Sequence, residues 1–386
     1  VSPRAAVAVL GAKGFRSFFV LAGVQAALVV PLWLLVWTGR LALRGPLQGI
    51  IWHGHEMVHG FSVAVIAGFL LTAVGNWTGR ETVTGPALVA LATLWALARL
   101  ALVLVPGWPG AALDLAFLPL LALALARPIL ATNNRRNIKF LLILAALWLA
   151  NLGVWLDVAG VLPGLAVRAD RAAVYLIAVI ILVMAGRVVP MFTRNATGVT
   201  SLRNLAGLDA VAIGATAVVA ALQLWPLPAV EPWIAGLAGV ATLGRMATWG
   251  TVHTTRQPLL WVLHLGHAAV GIGLCMLALQ PWLVPVGSLP LHALTVGGIG
   301  LVTLGMMARV SLGHTGRPLA AGAAMTVSFL CVVAAVLVRV LGPWVLPAQL
   351  TTMLWIAALL WGGGFAIFTA RYLPVLLAPR VDGKAG

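Results

Sequence analysis

The chain has 386 residues, 62% of them hydrophobic and only 8% charged, and its formal net charge is +16. So little polar surface excludes a water-soluble globular protein and points to a backbone that lies mostly out of water. The basic excess is no polynucleotide footprint, because Lys and Arg collect between apolar runs and on one side of them.

A hydrocarbon core of roughly 30 Å takes about 20 helical residues per crossing. In chain order the apolar runs predict crossings near residues 15–37, 50–77, 86–106, 110–127, 138–157, 172–193, 207–225, 230–249, 258–281, 288–310, 319–341 and 349–372. The separators are Gly/Pro turns such as "WPLPAVEPW" and basic loops such as "ARPILATNNRRNIK", and the weakest break is "VPGWPG". The expected fold is all-α, a polytopic bundle of twelve transmembrane helices forming one integral membrane domain over residues 1–386.

With the N-terminus inside, eighteen of the 24 Lys and Arg residues fall on the inner side. Arg40, Arg44, Arg168, Arg171 and Arg339 fall outside, and Arg99 lies within the third crossing. The positive-inside rule then places both termini of this multi-pass membrane protein in the cytoplasm. The lead "VSPRAAVAVLGAKGFRS" runs into a full-length crossing, so no cleavable signal is expected.

Cys275 and Cys331 sit in different apolar crossings and form no metal-spaced pair. Any metal therefore rests on histidine. There are eight: His53, His55 and His59 open the second crossing, His264 and His267 lie early in the ninth, and His292 opens the tenth. His253 and His314 fall in inner loops. An unbroken helix would hold His292 and His314 roughly 33 Å apart at 1.5 Å per residue, so one metal cannot bind both. His55 and His59 share a helix face, as do His264 and His267, whereas His53 and His55 point to different sides. Each alone has the reading of a hydrogen-bonded interfacial side chain; grouped in three crossings, they make function the better reading.

The chain also repeats itself. His55 and His292 differ by 237 positions, as do Gly68 and Gly305 and the two "TGR" triplets at 78–80 and 315–317. At an offset of 122, Met184, Arg187, Val188 and Thr193 match Met306, Arg309, Val310 and Thr315. Three four-helix units of one sidedness are expected, with His55 and His292 as equivalents suited to opposite axial positions of a haem. That threefold pattern is similar to the catalytic subunits of haem–copper oxidases and nitric oxide reductases. Those enzymes take histidines for a second metal from their sixth and seventh helices, and here the sixth and seventh crossings contain none.

"WHGHEMVHGFSVAVIAGFLLTAVGNWTGR", "GRVVPMFTRNATG", "PLLWVLHLGHA" and "LHALTVGGIGLVTLGMMARVSLGHTGRPL" together resemble the NnrS family, in order over most of the chain. The resemblance implies a bacterial inner-membrane protein of denitrification, the nitric oxide response and nitrosative stress, associated with haem b and copper. Carried over by motif, the candidate ligands are His53, His55, His264, His292 and His314, with Glu56 beside them. His59 and His267 stand where the family would carry an aromatic residue and a tyrosine, and so rank second as ligands.

From these residues an outer site is expected on His55 and His292, with His53 as an alternative ligand or copper partner. Glu56 would accept a hydrogen bond from a ligand imidazole or relay a proton, or else pair with Arg40 or Arg44. An inner site is expected on His264 and His314, with Arg309 and Arg187 holding haem propionates or else reaching lipid headgroups. Arg99 and Asp114 are expected to pair across a hairpin. The implied partners are nitric oxide or another diatomic, membrane lipid and a quinol or other membrane electron donor, with no nucleic acid. The resulting function is the binding or reductive removal of nitric oxide, or electron movement to that end, either as a nitric oxide reductase-like oxidoreductase or as a sink that keeps the gas from other iron centres. The alternative is a transporter moving a metal ion or small ligand past the histidines.

Overall fold

A computed structural model describes residues 3–282 and 287–384. After a short helix at Pro3–Leu10 come α1 (Gly14–Trp37), α2 (Gly49–Thr78), α3 (Gly85–Leu104), α4 (Pro109–Ala131), α5 (Ile138–Val158) and α6 (Leu165–Thr197). They are followed by α7 (Ala206–Leu224), α8 (Glu231–Met246), α9 (Pro258–Leu279), α10 (Leu289–His314), α11 (Gly322–Val345) and α12 (Leu350–Leu376). Among the described residues there is no strand, and eleven helices are long and apolar enough to cross a membrane. The all-α, multi-pass architecture is as the apolar spacing requires. The twelfth expected crossing, at 230–249, is α8, which has only 16 residues before the chain tightens through Thr251–His253. It falls short of the roughly 20 residues a crossing takes, so twelve full-length spans are not reached.

Two helices are not regular. In α2 the backbone widens to a π-helix over Glu56–Ser62, and in α10 over Ala293–Gly300. The widened turns begin directly after His55 and His292, so the 237-residue offset seen in the sequence is also an offset of backbone geometry. In α2 the wide turn is tied by Ser62, whose Oγ donates to the Met57 carbonyl five residues back at 2.8 Å. In α10 it is built on Gly297, Gly298 and Gly300, which let Ala269, Val270 and Trp361 approach the backbone. The stretch of α6 expected as the third repeat carries no such turn.

The helices gather into two compact units, one of Val1–Asp170, Met307–Leu319 and Phe365–Gly386, the other of Arg171–Met306 and Ala320–Gly364. In the first, Phe18 and Phe19 of α1 pack on Gly68 of α2, where a side chain would come 2.8 Å from the Phe19 ring. In the second, α9 lies against α10 through Gly266 and Gly305, the latter facing Val262 at a similarly short 2.7 Å. Gly68 and Gly305 are the equivalents found at the 237-residue offset. Each marks a close helix crossing of the small-residue kind that holds membrane helices together.

Candidate functional site

The densest polar group of the first unit is buried around the head of α2. His55, Glu56 and His59 are 0%, 1% and 2% exposed. The wide turn keeps the two histidines on one face, their ring centroids 5.0 Å apart. Two glycines make room for the group: a Cβ at Gly60 would come 2.9 Å from Gln25 Nε2 and 3.2 Å from Glu56 Oε2. One at Gly54 would come 2.8 Å from Asp170 Oδ2. The motif "HGHEMVHG" thus spaces its ionisable residues with gaps for their partners.

Arg99 of α3 is the centre of charge. Its Nη1 donates to Glu56 Oε1 at 2.8 Å and its Nη2 pairs with Asp114 Oδ1 of α4. Glu56 Oε2 accepts from Gln25 Nε2 of α1 at 2.6 Å. Asp114 Oδ2 accepts from Asn151 Nδ2 at 2.7 Å and from Trp155 Nε1 at 3.0 Å, both on α5. His55 completes the ring: Nε2 faces Asp114 Oδ2 at 3.1 Å and Asn151 Oδ1 at 3.0 Å, while Nδ1 faces Glu56 Oε1 at 3.3 Å. Both nitrogens therefore meet oxygen acceptors only, the set that two imidazolium N–H groups satisfy. Charges buried out of water persist only when paired in this way.

The expected Arg99–Asp114 pair is present, but it is one side of a larger network. Glu56 pairs with Arg99 rather than with Arg40 or Arg44, because Arg99 lies within the apolar span alongside it while the other two are exposed on the chain between α1 and α2. His59 extends the group toward α6, with Nε2 at 3.6 Å from Asp170 Oδ1. Neither ring nitrogen of His59 has a hydrogen bond, nor does that carboxylate oxygen.

The second unit holds the ninth-helix pair. His264 is 1% exposed, with Nε2 at 3.0 Å from Thr193 Oγ1 and Nδ1 at 2.9 Å from Thr251 Oγ1. His267 is fully buried against Trp249, ring centroids 4.6 Å apart, and neither of its nitrogens makes a well-formed hydrogen bond. Arg245 lies over the same indole at 5.0 Å, donates to the Leu182 carbonyl at 3.1 Å and pairs with Asp209 at 2.7 Å. In the same unit His292 is half-buried; its Nδ1 lies 2.8 Å from the Ser288 carbonyl, and Arg339 Nη2 approaches the ring at 3.2–3.3 Å.

The remaining candidates are dispersed. His53, on the other side of α2 from His55, lies tilted against Trp33 of α1, ring centroids 4.4 Å apart. His314, at the end of α10, lies 5.6 Å from the Phe15 ring, and its carbonyl accepts from Arg380. Arg309 is buried in the first unit and Arg187 half-buried in the second; His253 is exposed. Of the expected pairs, His55 and His314 belong to the first unit, and His292 and His264 to the second. Among the described residues no group of three His, Cys, Asp or Glu side chains is arranged to hold a metal. Met307 is fully buried packing.

Sequence reasoning passed over Asp170, Asn151, Gln25, Trp155, Asp209 and the two threonines around His264. For Asp170 a signal existed. The 122-residue offset that aligns Arg187 with Arg309 also aligns Asp170 with His292, so His55, Asp170 and His292 stand at one repeat position. The others are ordinary polar residues on apolar helices, and only folding shows which face they occupy.

No curated protein matches the chain significantly. The family model described as NnrS protein matches residues 9–380, nearly the whole chain. With that match running through the multi-pass helices and both histidine groups, the chain belongs to the NnrS family.

Proposed function

We propose that this chain is a bacterial inner-membrane protein of the nitric oxide response that binds nitric oxide, or removes it reductively, through haem b, with copper as a further metal. The observation that supports this most is the network joining His55, Glu56, Arg99 and Asp114, because ionisable groups are retained inside a membrane span where they serve chemistry or transfer. Joining two nitric oxide molecules to nitrous oxide and water consumes two protons and two electrons. A quinol fits the electron donor by its membrane setting.

The fit of the histidines to iron differs between them. An iron ligand needs an imidazole lone pair directed at the metal, and axial ligation with burial sets the potential. His55 offers no such lone pair while its ring faces acceptors on both sides. His264 is held between two threonines, whose hydroxyls can turn to leave one nitrogen as acceptor. His59 is buried with no hydrogen bond at either ring nitrogen, and His267 with none of good geometry, its ring facing the Thr242 backbone. The residues that would hold haem are thus His264 or His267 in the second unit, with Arg187 as a cation for a propionate. His292, His53 and His314 are the further ligand candidates, Arg309 a further cation. His55 and Glu56 hold and pass a proton beside Asp114 and Arg99. Haem would supply an iron position for nitric oxide and one-electron chemistry.

The test is an optical spectrum of the purified protein, oxidised and reduced, with and without nitric oxide, alongside metal analysis. Wild type is compared with His55→Ala, His264→Ala and His267→Ala. A b-type spectrum that shifts with nitric oxide, and is lost on changing His264 or His267, supports the reading. Absence of haem after haem-replete expression overturns it.

One observation favours a second reading, a transporter of a metal ion or small ligand. The π-helical turns of α2 and α10 interrupt regular helix beside His55 and His292, as substrate-binding transport helices are interrupted. A metal that exchanges freely on a haem-free protein would support it.

A further inference from the structure

We infer that His59 and Asp170 are two ligands of one first-row transition-metal ion, a site separate from the haem reading above.

The first ground is distance. His59 Nε2 and Asp170 Oδ1 are 3.6 Å apart. That exceeds the 2.7–3.2 Å of an ordinary N–H···O hydrogen bond. A water bridging the two with ordinary hydrogen bonds at a tetrahedral angle would hold them about 4.5 Å apart. A metal bound at about 2.0–2.2 Å to each, at a tetrahedral angle, separates its ligand atoms by about 3.3–3.6 Å. The observed separation fits two ligand atoms on one ion.

The second ground is satisfaction. His59 is 2% exposed and Asp170 7%, and neither the imidazole nitrogens nor Asp170 Oδ1 has a hydrogen-bond partner. Buried polar atoms left in that state call for an absent ligand, because desolvating them without a partner is costly. Gly54 leaves the room that the carboxylate occupies.

Charge is the third. Within the buried group, Glu56 and Asp114 are both paired with Arg99 and both in contact with the His55 ring. Asp170 remains, with the His59 ring beside it and, among the described residues, no Arg or Lys paired to it. A cation between the two neutralises it, and an imidazole nitrogen with a carboxylate oxygen suits a divalent ion such as Zn²⁺, Fe²⁺ or Cu²⁺ better than soft Cu⁺. Two protein ligands leave further positions open to water or a small ligand, the condition for a reactive rather than a structural metal.

The probe is Co²⁺, whose visible bands report tetrahedral coordination, added to the purified full chain after chelator treatment. The expected result is one equivalent bound by wild type and binding weakened at least about tenfold in both His59→Gln and Asp170→Asn. Asp157→Asn, outside the group, should bind as wild type. Asp170→Cys should restore binding with a sulfur-to-cobalt charge-transfer band, which a merely misfolded Asp170→Asn would not predict. No stoichiometric cobalt in wild type overturns the inference, as does equal binding by both variants. So does a protonated-carboxyl infrared band lost in Asp170→Asn, which would show that a proton neutralises Asp170. Haem content of the same samples separates this outcome from that of the haem reading.

Discussion

Glu56 and Asp114, on different helices and 58 positions apart in the chain, are held by one guanidinium, that of Arg99. Truncating Arg99 leaves two buried carboxylates facing each other in an apolar span. Arg99→Leu should cost about 3–5 kcal/mol, read as a lowered thermal midpoint in detergent. Arg99→Lys should fall between, since one ammonium lacks the fork that reaches both. Adding Asp114→Asn to Arg99→Leu should recover part of the loss.

Crowding at the polar group is tested through its glycines. Gly60→Ala should destabilise by about 1–3 kcal/mol, because the added methyl meets Gln25 and Glu56 and pushes them out of register. Gly214→Ala on α7, where nothing lies within 4 Å, should instead stabilise by about 0.5–1 kcal/mol. If unfolding shows equal effects of the two changes, Gly60 is not where the network needs space.

His264 depends on two hydroxyls. Thr193→Val with Thr251→Val should cost about 1–3 kcal/mol by stranding a buried imidazole. If His264 holds iron, the single Thr193→Val change should also move the reduced optical band. A pure stability loss with an unmoved band would leave the ligand role to His267.

At the chain's end, Arg380 grips Asp382, with Nε to Oδ1 at 2.9 Å, and the Val381 amide donates to the Thr315 carbonyl at 3.1 Å. The hydrogen bond from Arg380 pulls the Asp382 carboxyl down to about 2. A depressed carboxylate contributes stability above its unfolded pKa and loses it as pH falls through the folded value. Docking of the tail should therefore hold from neutral pH to about 4 and loosen only toward 2. The side-chain ¹³C shift of Asp382 gives the midpoint directly, and a value near 4 would mean the pair does not form.

Helix positions were legible because each apolar run must be about one bilayer thickness long. The α6 boundary shows what was not: α6 runs from Leu165, well before the apolar stretch that announces it, since Arg168 and Arg171 are tolerated on an exposed helical turn. That early start carries Asp170 into the polar group. His55 and Glu56 stood out by the cost of ionisable groups inside a span, but their partners did not. Asn151 and Gln25 look like ordinary residues until packing sets the face they share. Nor does hydropathy distinguish a histidine bonded at both nitrogens from one bonded at neither; that depends on neighbours brought in from other helices.

The wide turn at Glu56–Ser62 has a consequence for how α2 is keyed. A helix has one rotational phase, yet α2 must aim His55, Glu56 and His59 at one set of neighbours and Gly68 at another. An extra residue accommodated in a π turn is taken up without the roughly 100° it would add in regular helix, and this sets the phase between the halves. Straightening this turn into regular helix with every residue retained would swing its two halves against each other by that angle, whereas deleting one residue would leave them in phase. The segment thus works as a coupling between two independently fitted faces, and α10 carries the same coupling at the same repeat position.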